Sequence, residues 1–380
     1  MEINTELNPT PHSERNHGIE LLRIFAMLLA AVLHILKKGG VITASEGNLA
    51  AYSTVWLLEA AAYCAVNCYA LISGYVGYSD RPKPLRLARC IELWLQVVFY
   101  SVIITTVYCI AGVGSVGVSD FADAFLPATS KHYWYITGYI RMVLFLPLLN
   151  ALVRRLNRRA LVSLCIMLIA VFSLYDTFAS FWKKDPLALV GGHSPLWLGV
   201  LYIFGAAMKK LRVPESISSK KALLVYFSAA VFTALFKITG DRLLRFVPGS
   251  LFVRDTSPTV LLCAAALSVA FARFKPGRKL TEFAVLFAPA AFGVYLLHVS
   301  PLVFEHVIGN RFAFIGRLPF PLIPFAVLAS AGVILAVGLT ADKVRILLFK
   351  ALGVPKMCRK AEKSIRRLWM HVVDAAANRE

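Results

Sequence analysis

Charge is scarce in this sequence. Asp, Glu, Lys and Arg supply 16% of its 380 residues, where a soluble domain of ordinary composition carries about a quarter. That shortage excludes a water-soluble globule of this length. Several chemical signatures are missing as well. There is no P-loop, no GxSxG elbow and no HExxH pair, which removes the usual signs of nucleotide hydrolysis, serine hydrolysis and zinc-dependent hydrolysis. No Gly/Ser-rich linker marks off a second soluble domain. The seven cysteines lie within apolar stretches or in the C-terminal tail. No disulfide framework is expected, no Cys/His spacing suits a metal, and cysteine reads as a small packing residue.

What is present in excess is apolar: 58% of the chain, gathered into blocks of about 18 to 25 residues, the length that crosses a ~30 Å hydrocarbon layer as a helix. The blocks fall at 18–36, 53–78, 90–112, 132–153, 160–178, 195–211, 221–239, 258–273, 284–308 and 321–347. The expected fold is all-α, a polytopic bundle of about ten transmembrane helices. Basic residues test that count. The connectors after the second, fourth, sixth and eighth blocks hold 17 Lys and Arg when Lys209, Lys210, Lys221 and Arg273 at the adjoining block ends are included, the five alternate connectors ten. By the positive-inside rule both termini then face the cytoplasm. The same placement argues against nucleic acid as the partner of a chain of formal charge +20; the lipid bilayer is the partner implied.

Three regions follow. Residues 1–17 form a polar cytoplasmic segment without the apolar core of a cleavable signal peptide. Residues 18–347 form the transmembrane domain. Residues 348–380 form a basic cytoplasmic tail whose Ile365, Leu368 and Trp369 recur at helical spacing, which suits either a helix lying along the leaflet or a solvated helix end.

Ionisable and polar side chains inside a bilayer cost several kcal/mol, so the few present are either paired or functional. In the first span Arg23 and His34 lie about 300° and about 320° round from Glu20 at ~100° per residue, on one helix face. Arg23 reads as an anion-binding group or as a residue that reaches the interface beside Glu20. His34 reads as a reactive imidazole or as an interfacial histidine. Glu59, in the second span, is expected at a depth comparable with His34, where a carboxylate would fix the imidazole tautomer. Asn67 and Ser73 sit among small residues, which suits helix packing as well as substrate contact. Arg141, expected near mid-membrane, should face the bundle interior and meet a carboxylate or an anionic ligand. Trp134 and Tyr135, next to His132 and Tyr133, suit an aromatic belt or a sugar-stacking platform. Tyr295 and His298 suit a hydrogen-bonded pair or a substrate contact. These residues describe a polar pocket on spans one, two, four and nine. Alone they do not separate an enzyme from a carrier.

Four segments carry a resemblance. Gly18-Ile19-Glu20-Leu21-Leu22-Arg23-Ile24-Phe25-Ala26 through His34 resembles the first helix of the membrane acyltransferase-3 family, with its spaced Arg and His. Ala70-Leu71-Ile72-Ser73-Gly74-Tyr75 is similar to that family's FLISGF element. His132-Tyr133-Trp134-Tyr135 with Leu146-Pro147-Leu148 is similar to its HLWFL…P helix, and Phe292-Gly293-Val294-Tyr295-Leu296-Leu297-His298 to its FGIYLLH element. Cys68, Tyr69, Tyr75 and Tyr135 stand where bulkier or non-hydroxylated aromatics are usual. The resemblance implies a bacterial plasma-membrane O-acyltransferase. Acyl-CoA, with acetyl the expected acyl group, would be its co-substrate, and a surface or lipid-linked glycan its acceptor. His34 would be the catalytic histidine, Arg23 its motif partner nearer the CoA, and Arg141 a second CoA contact. Envelope-polysaccharide synthesis enzymes are expected neighbours. The alternative is a transporter or flippase using the same pocket, and a weaker one a sensor or anchoring subunit.

Overall fold

A computed structural model of the chain describes residues 15–82, 84–114, 116–126, 133–243 and 248–377. Most of the expected N-terminal segment, and His132, therefore lie outside the described residues. Among those described there is no strand. The main helices are α1 (His17–Lys37), α2 (Leu49–Gly77), α3 (Leu87–Ala111), α4 (Trp134–Leu144), α5 (Leu146–Arg155) and α6 (Arg158–Trp182), followed by α7 (Pro195–Lys210), α8 (Ser219–Arg242), α9 (Pro258–Arg273), α10 (Arg278–His298), α11 (Ile323–Ala351) and α12 (Val354–Ala377). Each of the ten expected apolar blocks falls on one or two of these.

By length and composition seven helices suffice to cross a membrane, or eight if the bent pair α4–α5 counts as one span. Two of the expected spans, α7 and α9, have 16 residues each, about 24 Å of rise. They are also largely enclosed by protein. The α4–α5 pair bends by 58°, with Pro147 in the first turn of the second member, where its missing N–H and fixed φ are tolerated. The ninth block, expected to continue to residue 308, ends as a helix at His298. Ser300-Pro301 interrupts it, and a separate short turn spans Phe304–Ile308.

Side-chain caps set where the helices begin. Asn16 accepts from the Ile19 amide at 3.0 Å and donates to the Ala272 carbonyl at 2.8 Å, tying the start of α1 to the end of α9. Asn48, Ser194, Ser218 and Ser257 cap α2, α7, α8 and α9 in the same manner. At the other end of α7, the Lys210 ammonium donates to the carbonyls of Val153, Arg154 and Leu156 at 2.6–2.9 Å, satisfying the open end of α5.

Two close crossings lock the bundle. Helices α2 and α7 meet at a reciprocal pair of glycines. A Cβ on Gly74 would overlap the Tyr202 carbonyl, and one on Gly205 the Leu71 carbonyl. Lipid offers no hydrophobic drive for helix association, so backbone proximity of this kind carries much of the packing energy. Gly74→Ala is therefore expected to cost about 1–3 kcal/mol, as overpacking does, and to lower the melting temperature of detergent-purified protein. An unchanged melting temperature would show that the crossing yields without strain. The second crossing sets α10 on α11: Gly338 receives Val294, and Asp342 occupies the space above Gly293.

Helix α12 docks on the start of α3. Glu362 accepts from the Leu87 amide at 3.2 Å and from Arg366 at 2.8 Å, and these donors hold its carboxyl below the usual carboxylate range. Ile365, Leu368 and Trp369 on this helix are exposed.

Candidate active site

Helix α1 buries a broad apolar face, including Leu22, Ala26, Ala31 and Ile35, and turns Arg23 and His34 the same way. His34 lies in its last turn. The imidazole Nδ1 stands 2.9 Å from Nε2 of His298, the final residue of α10. His298 is 3% exposed, and its Nδ1 lies against the Val294 carbonyl. Since a carbonyl oxygen only accepts, His298 Nδ1 carries a proton. In the neutral ring His298 Nε2 is then an acceptor, and His34 Nδ1 must donate to it. The hydrogen-bond network thus assigns His34 the tautomer with its Nε2 lone pair bare. The ring is fixed on a third side by Phe304, edge-on at 5.1 Å. Lys38 lies over Phe304 and pairs with Glu305 at 2.6 Å, holding that carboxyl below its usual range.

Behind His298 runs a contiguous row of aromatic rings. Tyr295 lies 6.4 Å from His298, Tyr135 lies 6.0 Å from Tyr295, and Phe292 and Tyr69 continue the row. The Tyr135 hydroxyl is buried without a hydrogen-bond partner. On the same side Arg23 is half-buried, within electrostatic reach of the Tyr69 and Tyr139 hydroxyls. Glu20 pairs with His17 at 3.7 Å, and no carboxylate pairs with Arg23 among the described residues. Arg23 and His34 are eleven residues apart, about 16 Å along the helix. A guanidinium with no carboxylate partner among the described residues, a row of packed aromatic rings and a bare imidazole nitrogen therefore lie in sequence. That order suits a long ligand with an anionic head and a reactive tail.

Several expected contacts are arranged otherwise. Glu59 does not orient His34; His298 does. Glu59 is 2% exposed and one of its carboxylate oxygens is buried without a hydrogen-bond partner, because the turn at Tyr63-Cys64 breaks α2 just beyond it and the ends of α1 and α10 meet first. Arg141 is exposed and does not face the interior. The buried face of α4 is Tyr135, Ile136, Gly138, Met142 and Val143, and the bend that follows leaves Arg141 on the opposite side. Asn67 is fully buried. Its amide donates to the Asp255 carbonyl at 2.7 Å and accepts from the Trp197 indole at 3.1 Å, which makes it an interhelical bracket and not a substrate contact. The Ser73 hydroxyl donates to the Tyr69 carbonyl and lies beside Tyr139. Trp134 stacks on His193 at 4.1 Å between ring centroids.

Sequence reasoning did not find His193, whose Nε2 lies 3.2 Å from Asp255, or Asp176 and Arg254, 3.5 Å apart. These residues sit mostly in connectors, and only folding brings them together. It also passed over Asp342 and Arg345, a buried pair with 2.7 Å and 3.0 Å contacts, although two opposite charges three residues apart in an apolar helix were a readable signal.

The family model of acyltransferase-3, described as an acyltransferase domain, matches residues 16–341. No curated protein and no solved structure matches the chain.

Proposed function

The chain belongs to the acyltransferase-3 family and is a membrane acyltransferase, and from that premise we propose that it moves an acyl group, acetyl in the first instance, from cytoplasmic acyl-CoA to a hydroxyl of a surface polysaccharide or its lipid-linked precursor. The observation that carries this reading is the His34–His298 pair with its bare Nε2, on the same helix face as an Arg23 that lacks an anionic partner. In this mechanism Arg23 holds a CoA phosphate and the pantetheine arm runs along the aromatic row. The separation of about 16 Å supports giving Arg23 the phosphates and not the reacting carbonyl. The acceptor hydroxyl gives its proton to His34 Nε2 as its oxygen attacks the thioester carbonyl. The C–S bond breaks, and the imidazolium returns the proton to the departing thiolate. His298 orients the ring and accepts from Nδ1 throughout. The setting is the bacterial plasma membrane, with the acceptor delivered on the outer side by enzymes of envelope-polysaccharide synthesis.

The test uses full-length protein in lipid nanodiscs supplied with acetyl-, propionyl- and longer acyl-CoA. Consumption of at least one thioester with release of free CoA is expected. Arg23→Ala is expected to weaken acyl-CoA binding about 10- to 100-fold, the range for a lost charged hydrogen bond. If no thioester is consumed and Arg23→Ala leaves binding unchanged, the pocket belongs to a carrier.

A further inference from the structure

A second polar cluster adjoins the aromatic row at Tyr135. Trp134 touches Tyr135, with ring centroids 5.6 Å apart, and through it the row that ends at His298 and His34. The other neighbour of Trp134 is His193. Its ring lies nearly parallel to the indole and its side chain is 49% exposed, while its Nε2 contacts a carboxylate, Asp255, that is 6% exposed. The chain around Asp255 is held rigidly. Asn67 grips its carbonyl, Thr256 donates to Asp176 at 2.6 Å, and Ser173 donates to the Thr256 carbonyl at 2.7 Å. Beside this frame the Tyr63 hydroxyl lies within electrostatic reach of Glu59, Asp255 and Arg254.

Most of these polar groups are matched to one another, and the exceptions point toward a ligand. The Glu59 carboxylate, one turn before Tyr63, is buried with an oxygen that no donor meets. The Nε of Arg254 and one oxygen of Asp176 are likewise buried and unmatched. Buried polar atoms of this kind are costly unless a partner arrives. Donor and acceptor needs occur side by side, which an alcohol satisfies and a simple ion does not. Two buried carboxylates, Asp176 and Asp255, stand against one guanidinium, Arg254, so an acidic ligand is disfavoured. A flat, partly exposed ring pair stands at the rim.

We propose that Trp134, His193 and Asp255, with Asp176 and Arg254 behind them, form the acceptor subsite and take an uncharged sugar ring. The ring lies against the His193–Trp134 stack, and its hydroxyls hydrogen-bond to the carboxylates. The proposal rests on the acyl-transfer reading above and adds to it the class of acceptor: neutral hexose units, not uronic acids. The stack lies next to Tyr135, the ring through which it joins the row that leads to His34.

Binding is measured without any donor, which keeps this proposal separable from acyl transfer itself. Saturation-transfer NMR on the full-length protein in nanodiscs reports weak sugar binding, with methyl glucoside and methyl glucuronide as probes. Methyl glucoside is expected to bind saturably, and the glucuronide at least tenfold more weakly. Trp134→Ala and His193→Ala are each expected to weaken methyl glucoside binding about tenfold, and Trp134→Phe, which keeps a flat ring, by no more than about threefold. Acyl-CoA binding by all three variants should match the unmodified protein, which also verifies that they are folded. Absence of saturable methyl glucoside binding by the unmodified protein overturns the subsite. So does equal binding by the alanine variants, equal binding of the glucuronide, or loss of acyl-CoA affinity together with sugar affinity. Absence of acyl-CoA consumption with intact sugar binding would instead remove the donor reading and leave the subsite standing.

Discussion

His34→Ala is expected to lower acyl transfer about 10³-fold while leaving acyl-CoA binding within a factor of two. A positioned general base contributes on the order of 10²–10⁴-fold, and 10³-fold corresponds to about 4 kcal/mol of barrier. The substitution removes the one nitrogen that the hydrogen-bond network leaves bare, but it does not touch Arg23, which lies about three helical turns away. The loss should therefore appear in kcat. His298→Ala is expected to cost less, about 10- to 100-fold, as removal of an orienting partner does, because Nε2 of His34 survives but its ring is free to turn. His298→Gln, whose amide oxygen still accepts from Nδ1, should recover part of that loss. Turnover is measured with acyl-CoA on nanodisc-reconstituted protein, and folding by thermal melting. A His34→Ala protein with unchanged melting that keeps a tenth of normal turnover would have lost only about 1.4 kcal/mol, too little for the base, and would sink the mechanism.

The second large effect concerns stability. Asp342→Ala is expected to destabilise the protein by about 3 kcal/mol, since removal of one partner from a buried ion pair commonly costs about 3–5 and a lipid-facing unfolded state recovers some of it. Asp342 is completely buried. One of its oxygens accepts from Gln96 at 2.9 Å, from Tyr100 at 3.0 Å and from Arg345 at 3.0 Å, and the other from Arg345 at 2.7 Å. Alanine would strand the guanidinium and two further donors in apolar surroundings. The melting temperature should fall by about 5–10 °C. Asp342→Asn, which keeps one acceptor oxygen, should fall less. No change in melting for the alanine variant would mean that water reaches Arg345 and that the pair does not support the fold. Activity offers a second readout, because Asp342 lies against Gly293 on the helix that ends in His298.

Much of this was readable before any coordinates. Apolar runs located the helical blocks because burial in lipid demands them, and the shared face of Arg23 and His34 follows from helix geometry alone. What could not be read depended on how helices meet. Glu59 was the expected partner for His34; that His298 takes its place turned on which helix ends converge, across 264 residues of sequence. Arg141 was expected inside because its block was treated as one straight span, and a 58° bend does not alter a hydropathy average. Asn67 looked available to a ligand because its two buried partners, Asp255 and Trp197, come from distant parts of the chain. The pair Asp342 and Arg345 lay near the end of a long apolar block, where charges are ordinarily discounted as a boundary.

The shortness of α7 and α9 has a physical corollary. Each rises about 24 Å, roughly 6 Å less than the hydrocarbon thickness of a typical bilayer. Lipid cannot thin in the middle of a protein, so a protein-enclosed helix this short, if it spans, sets the polar residues at its ends within the depth of the surrounding hydrocarbon. The low-dielectric layer is then thinner along these two helices than in the surrounding lipid.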